Sequence, residues 1–215
     1  MNIKKLIWKY LHFKVRRYYM AKYGADALNK LYAIYEKLGT PIWLEGGTLL
    51  GSYREHGYIP HDDDIDMAMY VKDFTHDFQR HLFDKGFTIL RYYSLVSGTT
   101  DELKCITEIT IRYKGLLIDI FFNDDKEDFS AEYSYDTLCP VQNKWKARLF
   151  KLPKITGFET IYFEGAKCLV PSNTKERLEY FYGPTFMVPD SNWHDSEKLI
   201  LSENEYYGEM IGGWR

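Results

Sequence analysis

The sequence predicts an α/β or α+β fold, a small mixed sheet with helices on it. Three observations carry that expectation. Segments with a 3.6-residue apolar period alternate with short apolar runs of strand length. Glycines stand where helices should stop, at Gly39, Gly57, Gly86 and Gly183. A Lys114-Gly115 turn joins two apolar runs in the middle of the chain, which reads as a hairpin. At 215 residues the chain can bury one sizeable core and not two. No repeat, low-complexity tract or linker divides it. The expected organisation is a basic N-terminal helix over residues 1–24 and a single domain over 25–215.

Taken in order, Ile3, Leu6, Ile7, Tyr10, Leu11 and Tyr18 recur at roughly helical spacing. A second stripe, Leu28, Leu31, Tyr32, Ile34, Tyr35 and Leu38, predicts a helix from Asp26 to Leu38. Pro41 opens a short strand, Ile42-Trp43-Leu44, that ends at Gly46-Gly47. Thr48 is placed to cap a helix carrying Leu49, Leu50, Tyr53 and Arg54. Ile65 to Val71 reads as a strand and Asp73 to Lys85 as a helix. Lys104 to Tyr113 and Leu116 to Phe122 are the hairpin strands. Residues 123–136 hold six acids against one lysine and read as an exposed loop. Lys167 to Val170 is a strand, and Pro171-Ser172-Asn173 caps a helix through Tyr182. The tail from Pro189 to Arg215 has no pattern that assigns an element.

Composition excludes several classes. A hydrophobic fraction of 45 % with 17 % aromatic residues fits a packed globule and not a disordered chain. Three isolated cysteines without a C-x-x-C pair, and no secretory leader, predict reduced thiols and a cytoplasmic location. The net charge of −3 hides an asymmetry: residues 1–22 carry seven basic residues and no acid. The remainder then has 21 basic and 31 acidic residues, a net −10, which argues against a nucleic-acid partner. The basic stretch is interrupted too often to span a membrane. It reads as a helix packed on the domain with a solvated cationic face, or as a peripheral contact of residues 1–22 with an anionic membrane.

Chemistry concentrates between Trp43 and Tyr70. Asp64 and Asp66 flank Ile65 at the start of a strand, so a period of two puts both on one side, with Ile65, Met67 and Met69 on the other. Paired carboxylates make a half-shell for a hard cation such as Mg²⁺. Asp119, a lone acid inside the apolar run Leu116–Phe122, is costly to bury unless something pairs with it. It completes the site if its strand lies beside that of Asp66. Asp62, Asp64 and Asp66 have the first spacings of an EF-hand loop, but Met67 stands where that loop needs glycine. Gly46-Gly47-Thr48 at a strand-to-helix junction fits phosphate binding. Arg54, two turns on, is placed to reach either a phosphate or the aspartates. His56 and His61 flank the cluster and read as hydrogen-bonding or surface residues. No Walker loop, dinucleotide fingerprint or nucleophile triad is present.

The run GGTLLGSYREHGYIPHDDDIDM resembles the signature of the LicD/fukutin family, as do GLLIDIF around Asp119 and the later CLVPSNTKERLEYFYG. The resemblance implies an α+β, nucleotidyltransferase-like small mixed β-sheet flanked by helices. It also implies metal-dependent transfer of a phosphoryl-alcohol group, phosphocholine first and a polyol phosphate second. The donor would be CDP-choline or a CDP-polyol. The acceptor would be a glycan or lipid-linked oligosaccharide, as in lipopolysaccharide biosynthesis. Asp64, Asp66 and Asp119 would be catalytic and, with Asp62, would hold one or two Mg²⁺ ions, Mn²⁺ being able to substitute. Gly46, Gly47, Thr48 and Arg54 would lie on the donor. Glu45 before Gly-Gly and His61 before the aspartates depart from the family pattern. NMP transfer from an NTP is the enzymatic alternative, and a degenerate nucleotide- or glycan-binding module the non-enzymatic one.

Overall fold

A computed structural model describes residues 3–100, 102–139, 144–190, 193, 199–201 and 205–212. Helix α1 (Ile3–Leu38) runs unbroken, so the two helical segments expected at the N-terminus are one. Its second half buries Met20, Ala27, Leu28, Leu31 and Ile34. Most of residues 6–18 are exposed. The chain continues through β1 (Ile42–Leu44), α2 (Gly46–Arg54), β2 (Ile65–Tyr70), α3 (His76–Asp84), β3 (Thr88–Ser97), β4 (Leu103–Tyr113) and β5 (Leu116–Asp125). Then come β6 (Ser130–Cys139), β7 (Lys144–Leu152), β8 (Phe158–Phe163), β9 (Ala166–Pro171), α4 (Thr174–Tyr182), β10 (Leu199–Ile200) and β11 (Tyr206–Ile211).

The mixed helix-and-sheet class holds, but the sheet is not small. Eleven strands form it, in the order β10-β7-β11-β3-β4-β5-β2-β1-β9-β8, with β6 paired to both β5 and β7. Pairing therefore closes a ring through β3, β4, β5, β6, β7 and β11, from which β2, β1, β9 and β8 extend as an open sheet. Strand β5 is the fork. Up to Asn123 one edge pairs parallel with β2; at Asp124 and Asp125 that strand pairs with β6.

The hairpin between β4 and β5 turns at Lys114 and Gly115, both with positive φ, as a two-residue turn of this hand requires. The core fills the face where Ile65, Met67 and Met69 of β2 meet Ile118, Ile120 and Phe122 of β5. Period-two alternation sends Asp66 and Asp119 to the opposite face.

The expected loop at 123–136 is instead the end of β5 and most of β6. Asn123, Ser130 and Glu132 are buried there and bonded to one another, so its acidic residues concealed a strand. Strand β11 falls in the tail that the sequence left unassigned, and β3 and β7 in segments given no element. These ring strands have half-buried stretches, which blur the alternation that marks a strand. Thr48 is not the cap of α2: Glu45 holds that position, without a side-chain bond. Helix α3 starts three residues later than expected, after Thr75, whose hydroxyl accepts from the Phe78 N–H.

Candidate active site

Strand register builds the site. Asp66 of β2 pairs with Asp119 of β5, Asp119 with Thr110 of β4, and Thr110 with Arg91 of β3. Two acids, a hydroxyl and a cation thus form one row across four strands. The Thr110 hydroxyl donates to Asp119 Oδ1, and Arg91 Nε donates to Thr110 Oγ1 at 2.7 Å. Arg91 Nη2 lies 3.8 Å from Asp119 Oδ1. Glu108, on the same face of β4, is pushed up to about 8 by burial and by Asp119.

Asp64 stands at the mouth of β2. Burial first, then Asp119 and Asp63, push its carboxyl up to about 6. Asp66 is raised well above the usual carboxylate range by burial and by Asp64, Asp119 and Asp62. Asp119 is raised by burial, against the pull of Thr110, Arg91 and Arg16. Asp62 is raised by burial, with His61 and Arg17 opposing. Asp64, Asp66 and Asp119 are therefore within electrostatic reach of one another, and Asp62 of the first two.

The Gly46-Gly47 turn is built against these acids. Gly46 has φ +53°, and a Cβ there would come within 2.9 Å of Asp66 Oδ2. A Cβ at Gly47 would meet Asp62 Oδ2 at 2.8 Å and Asp66 Oδ2 at 3.3 Å. The Gly47 N–H donates to Asp66 Oδ2 at 3.0 Å, and the buried Thr48 hydroxyl accepts from the Asp66 N–H at 2.9 Å. Gly47 and Thr48 thus hold the strand that carries Asp66. Arg54 donates to Glu55 at 2.8 Å and to the Phe186 carbonyl at 3.0 Å. It also pulls Asp62 down electrostatically. Arg54 and Gly47 line a cavity of about 670 Å³ with Asp62, Tyr182, Phe186 and Trp193.

Sequence reasoning missed several participants. Arg17 donates to the carbonyls of Ile59 and Asp62 at 3.2 and 3.1 Å, and Arg16 meets Asp63 at 3.3 Å. Helix α1 therefore braces the acidic loop. The only hint in the sequence was a paired arginine in an acid-free stretch. Glu45, odd by the family pattern, is explained by a buried network. It accepts from the Trp43 indole at 2.7 Å and from Arg177 at 2.9 Å. Arg177 also donates to Asn123 at 3.1 Å, which in turn donates to Glu132 at 2.7 Å. His61 is largely exposed, 4.0 Å from Asp62.

Among the described residues no three His, Cys, Asp or Glu side chains already converge on one metal point. The donor chemistry nonetheless fits a hard cation. The acids offer only oxygen, Asp119 raises the pKa of Asp64 and both raise that of Asp66, and glycines leave room beside Asp62 and Asp66.

An acid row on a mixed sheet, beside a strand–glycine–helix turn, defines a class that the comparisons identify. Residues 39–173 match the family model described as "LicD/FKTN/FKRP, nucleotidyltransferase domain", and the chain belongs to that family. It is 30 % identical over 158 residues to human "Ribitol-5-phosphate transferase FKTN", covering 73 % of this chain and 32 % of that protein. The Macaca fascicularis protein of the same name gives the same identity and coverage. An uncharacterized Caenorhabditis elegans protein, W02B3.4, is 32 % identical over 79 % of this chain and 44 % of its own length. The chain spans about one third of the length of the FKTN relatives it matches.

Proposed function

We propose that this chain transfers a phosphoryl-alcohol group from a CDP-activated donor to a glycan hydroxyl. The observation that carries this reading is the convergence of carboxylates beside the Gly46-Gly47 turn: Asp66 and Asp119 are register partners on neighbouring strands, and Asp64 lies two residues before Asp66. Family membership supports the reaction class, and relatives named as ribitol-5-phosphate transferases support a ribitol phosphate donor. Choline stays in contention on a separate observation. Tyr182, Phe186 and Trp193 line the cavity beside Arg54, and aromatic walls suit a quaternary ammonium as well as a cytosine ring.

In this reaction the acceptor oxygen bonds to the donor's β-phosphorus and the bond from that phosphorus to the bridging oxygen breaks. CMP leaves with the electron pair. The hydroxyl proton passes to Asp119, the carboxylate that Thr110 orients. Arg54 meets the diphosphate in the cavity. Mg²⁺ held by Asp64, Asp66 and Asp119, with Asp62 in support, would neutralise diphosphate charge. The Gly47 N–H and the Thr48 hydroxyl keep Asp66 aimed at the site. The reading also places the chain in the cytoplasm, against the inner face of a cell membrane. Its support is the exposure of Leu6, Ile7, Tyr10, Leu11 and Tyr18 on the basic stretch of α1. No helix among the described residues is long and apolar enough to cross a membrane.

The test is incubation with CDP-ribitol or CDP-choline, MgCl₂ and candidate glycans, followed by product mass. The expected product is acceptor plus ribitol phosphate or phosphocholine, with CMP released. Asp64→Ala and Asp119→Ala should each cut turnover by about 10²- to 10³-fold with the fold intact. An acceptor that gains NMP from an NTP, or full activity in either variant, sinks the proposal.

A further inference from the structure

Two cavities, each of about 670 Å³, border the acidic loop and share His61. Asp62 lines the one with Gly47, Arg54 and the aromatic wall; Asp63 lines the other. The second is walled by Trp8, Lys9, His12, Phe13 and Arg16 of α1. Their spacing, i, i+1, i+4, i+5 and i+8, makes them one stripe of a helix. We propose that this second cavity is the acceptor site, and that it takes a sugar bearing a phosphate group. The inference rests on the transferase reading above and adds the place and the chemistry of the acceptor.

Reach comes first. Arg16 ends the stripe at the acidic loop: it pairs at 3.3 Å with Asp63, the residue before Asp64. A ligand in this cavity borders the acidic loop at Asp63, whereas the cavity with Arg54 borders it at Asp62, so acceptor and donor would have separate places beside the same acids. Chemistry comes second. Trp8 is 62 % exposed, with its ring 4.2 Å from that of His12 and tilted 38° to it, and an exposed indole is a surface on which a sugar face can pack. The charged lining is Lys9 and Arg16 against Asp63 alone, with two histidines beside them. Asp63 answers Arg16, which leaves Lys9 as the cation without a carboxylate in this lining; a neutral glycan has no use for it, whereas a phosphate takes a charge-assisted bond from it. Lys9 and Arg16 are seven residues apart, roughly 10 Å along the helix. That spans one sugar ring, with its reacting hydroxyl at the Arg16 end and its phosphate at the Lys9 and His12 end.

The experiment is ¹⁵N-indole NMR of the full chain without donor or metal, the Trp8 resonance being identified by its loss in Trp8→Phe. The probes are the 1-phosphates of glucose, galactose and N-acetylglucosamine, the same free sugars, and vesicles of phosphatidylcholine with phosphatidylglycerol. At least one sugar phosphate should shift Trp8 saturably, with affinity at least about tenfold above its free sugar. Lys9→Gln should weaken that binding by about three- to tenfold, and Arg54→Gln, in the other cavity, should leave it unchanged. Equal binding of sugar and sugar phosphate, or indifference to Lys9→Gln, overturns the proposal. So does the absence of any shift up to about 10 mM of all three phosphates. Vesicles that shift Trp8 when none of the three sugar phosphates does assign the cavity to a lipid headgroup and likewise overturn it. The two readings fail separately. Turnover with no Trp8 shift removes only this inference, and a shift without CDP-alcohol turnover removes only the transferase reading.

Discussion

Asp66→Asn should raise the stability of the metal-free protein while abolishing its activity. Burial and neighbouring carboxylates disfavour the ionised form of Asp66. Asp64, two residues before it, is pushed up to about 6 by burial and by Asp119 and Asp63. Two pH units correspond to on the order of 3 kcal/mol of lost stability above neutral pH. The substitution removes one charge from that set and keeps an oxygen to accept the Gly47 N–H, now 3.0 Å from Asp66. Against this, the new amide nitrogen needs an acceptor, a cost of about 1 kcal/mol. Removing a charge that burial and three carboxylates disfavour should outweigh that cost, and Tm should rise by roughly 2–4 °C for each kcal/mol gained in a chain of this size.

The sign follows from linkage. A carboxyl whose folded pKa is raised stabilises fully below its unfolded pKa, near 4, and loses that contribution as pH rises through the folded value. The gain in the variant should therefore be small at pH 4.5 and larger at pH 7.5. Melts in EDTA at the two pH values measure it. Added MgCl₂ should stabilise the wild type more than the variant, because the proposed ligand set has lost a charge. A variant less stable than wild type at pH 7.5, or one with the same gain at both pH values, refutes the reasoning.

Three further expectations follow. Gly47→Ala puts a methyl 2.8 Å from Asp62 Oδ2 and displaces two carboxylates. It should cost about 1–3 kcal/mol in a urea melt and weaken Mg²⁺ binding in calorimetry, and unchanged metal binding would dismiss the cradle. Arg177→Met leaves Glu45 buried without its cation, so stability should fall by about 3–5 kcal/mol. Glu45→Gln in the same background should recover part of that loss, and strict additivity would show that the two do not act together. Leu6→Gln with Leu11→Gln removes two exposed apolar side chains from α1. Sedimentation with anionic vesicles should drop at least about tenfold, and undiminished binding rejects membrane contact through this face.

What was legible in the sequence was local. Alternation around Ile65 fixed the sides of Asp64 and Asp66, and the apolar run around Asp119 marked it as an acid needing partners. The glycine pair after Trp43-Leu44 marked the turn that now sits against Asp66 and Asp62. What was hidden depends on distance along the chain. Arg177 meets Glu45 across 132 residues, and Arg16 meets Asp63 across 47. Nothing in either segment names the other. Thr110 and Arg91 are ordinary strand residues until register sets them beside Asp119. Strand β6 was concealed for a different reason: charge outvoted alternation, although its Glu132 is buried on the Asn123 amide.

That buried glutamate shows how the ring of strands serves the site. Strand β5 carries Asp119 in the open sheet and, four residues on, Asn123 at the fork where β6 takes over the edge. Asn123 accepts from Arg177 and from the Ser130 hydroxyl, and donates to Glu132. Arg177 passes the constraint to Glu45, whose N–H donates to the Asp66 carbonyl at 3.1 Å just before Gly46. Glu132 is pushed up to about 8 by burial and by Glu45, so its proton is held at neutral pH. The network then sets Arg177 against Glu45 at 2.9 Å, the paired arrangement in which buried charged side chains are tolerable. Such a paired clamp can sit behind the Gly46 turn without crowding the aspartates in front of it. The glycine turn is thus fixed from behind by the ring and α4, and the acids facing it remain the charged surface on which the proposed chemistry depends.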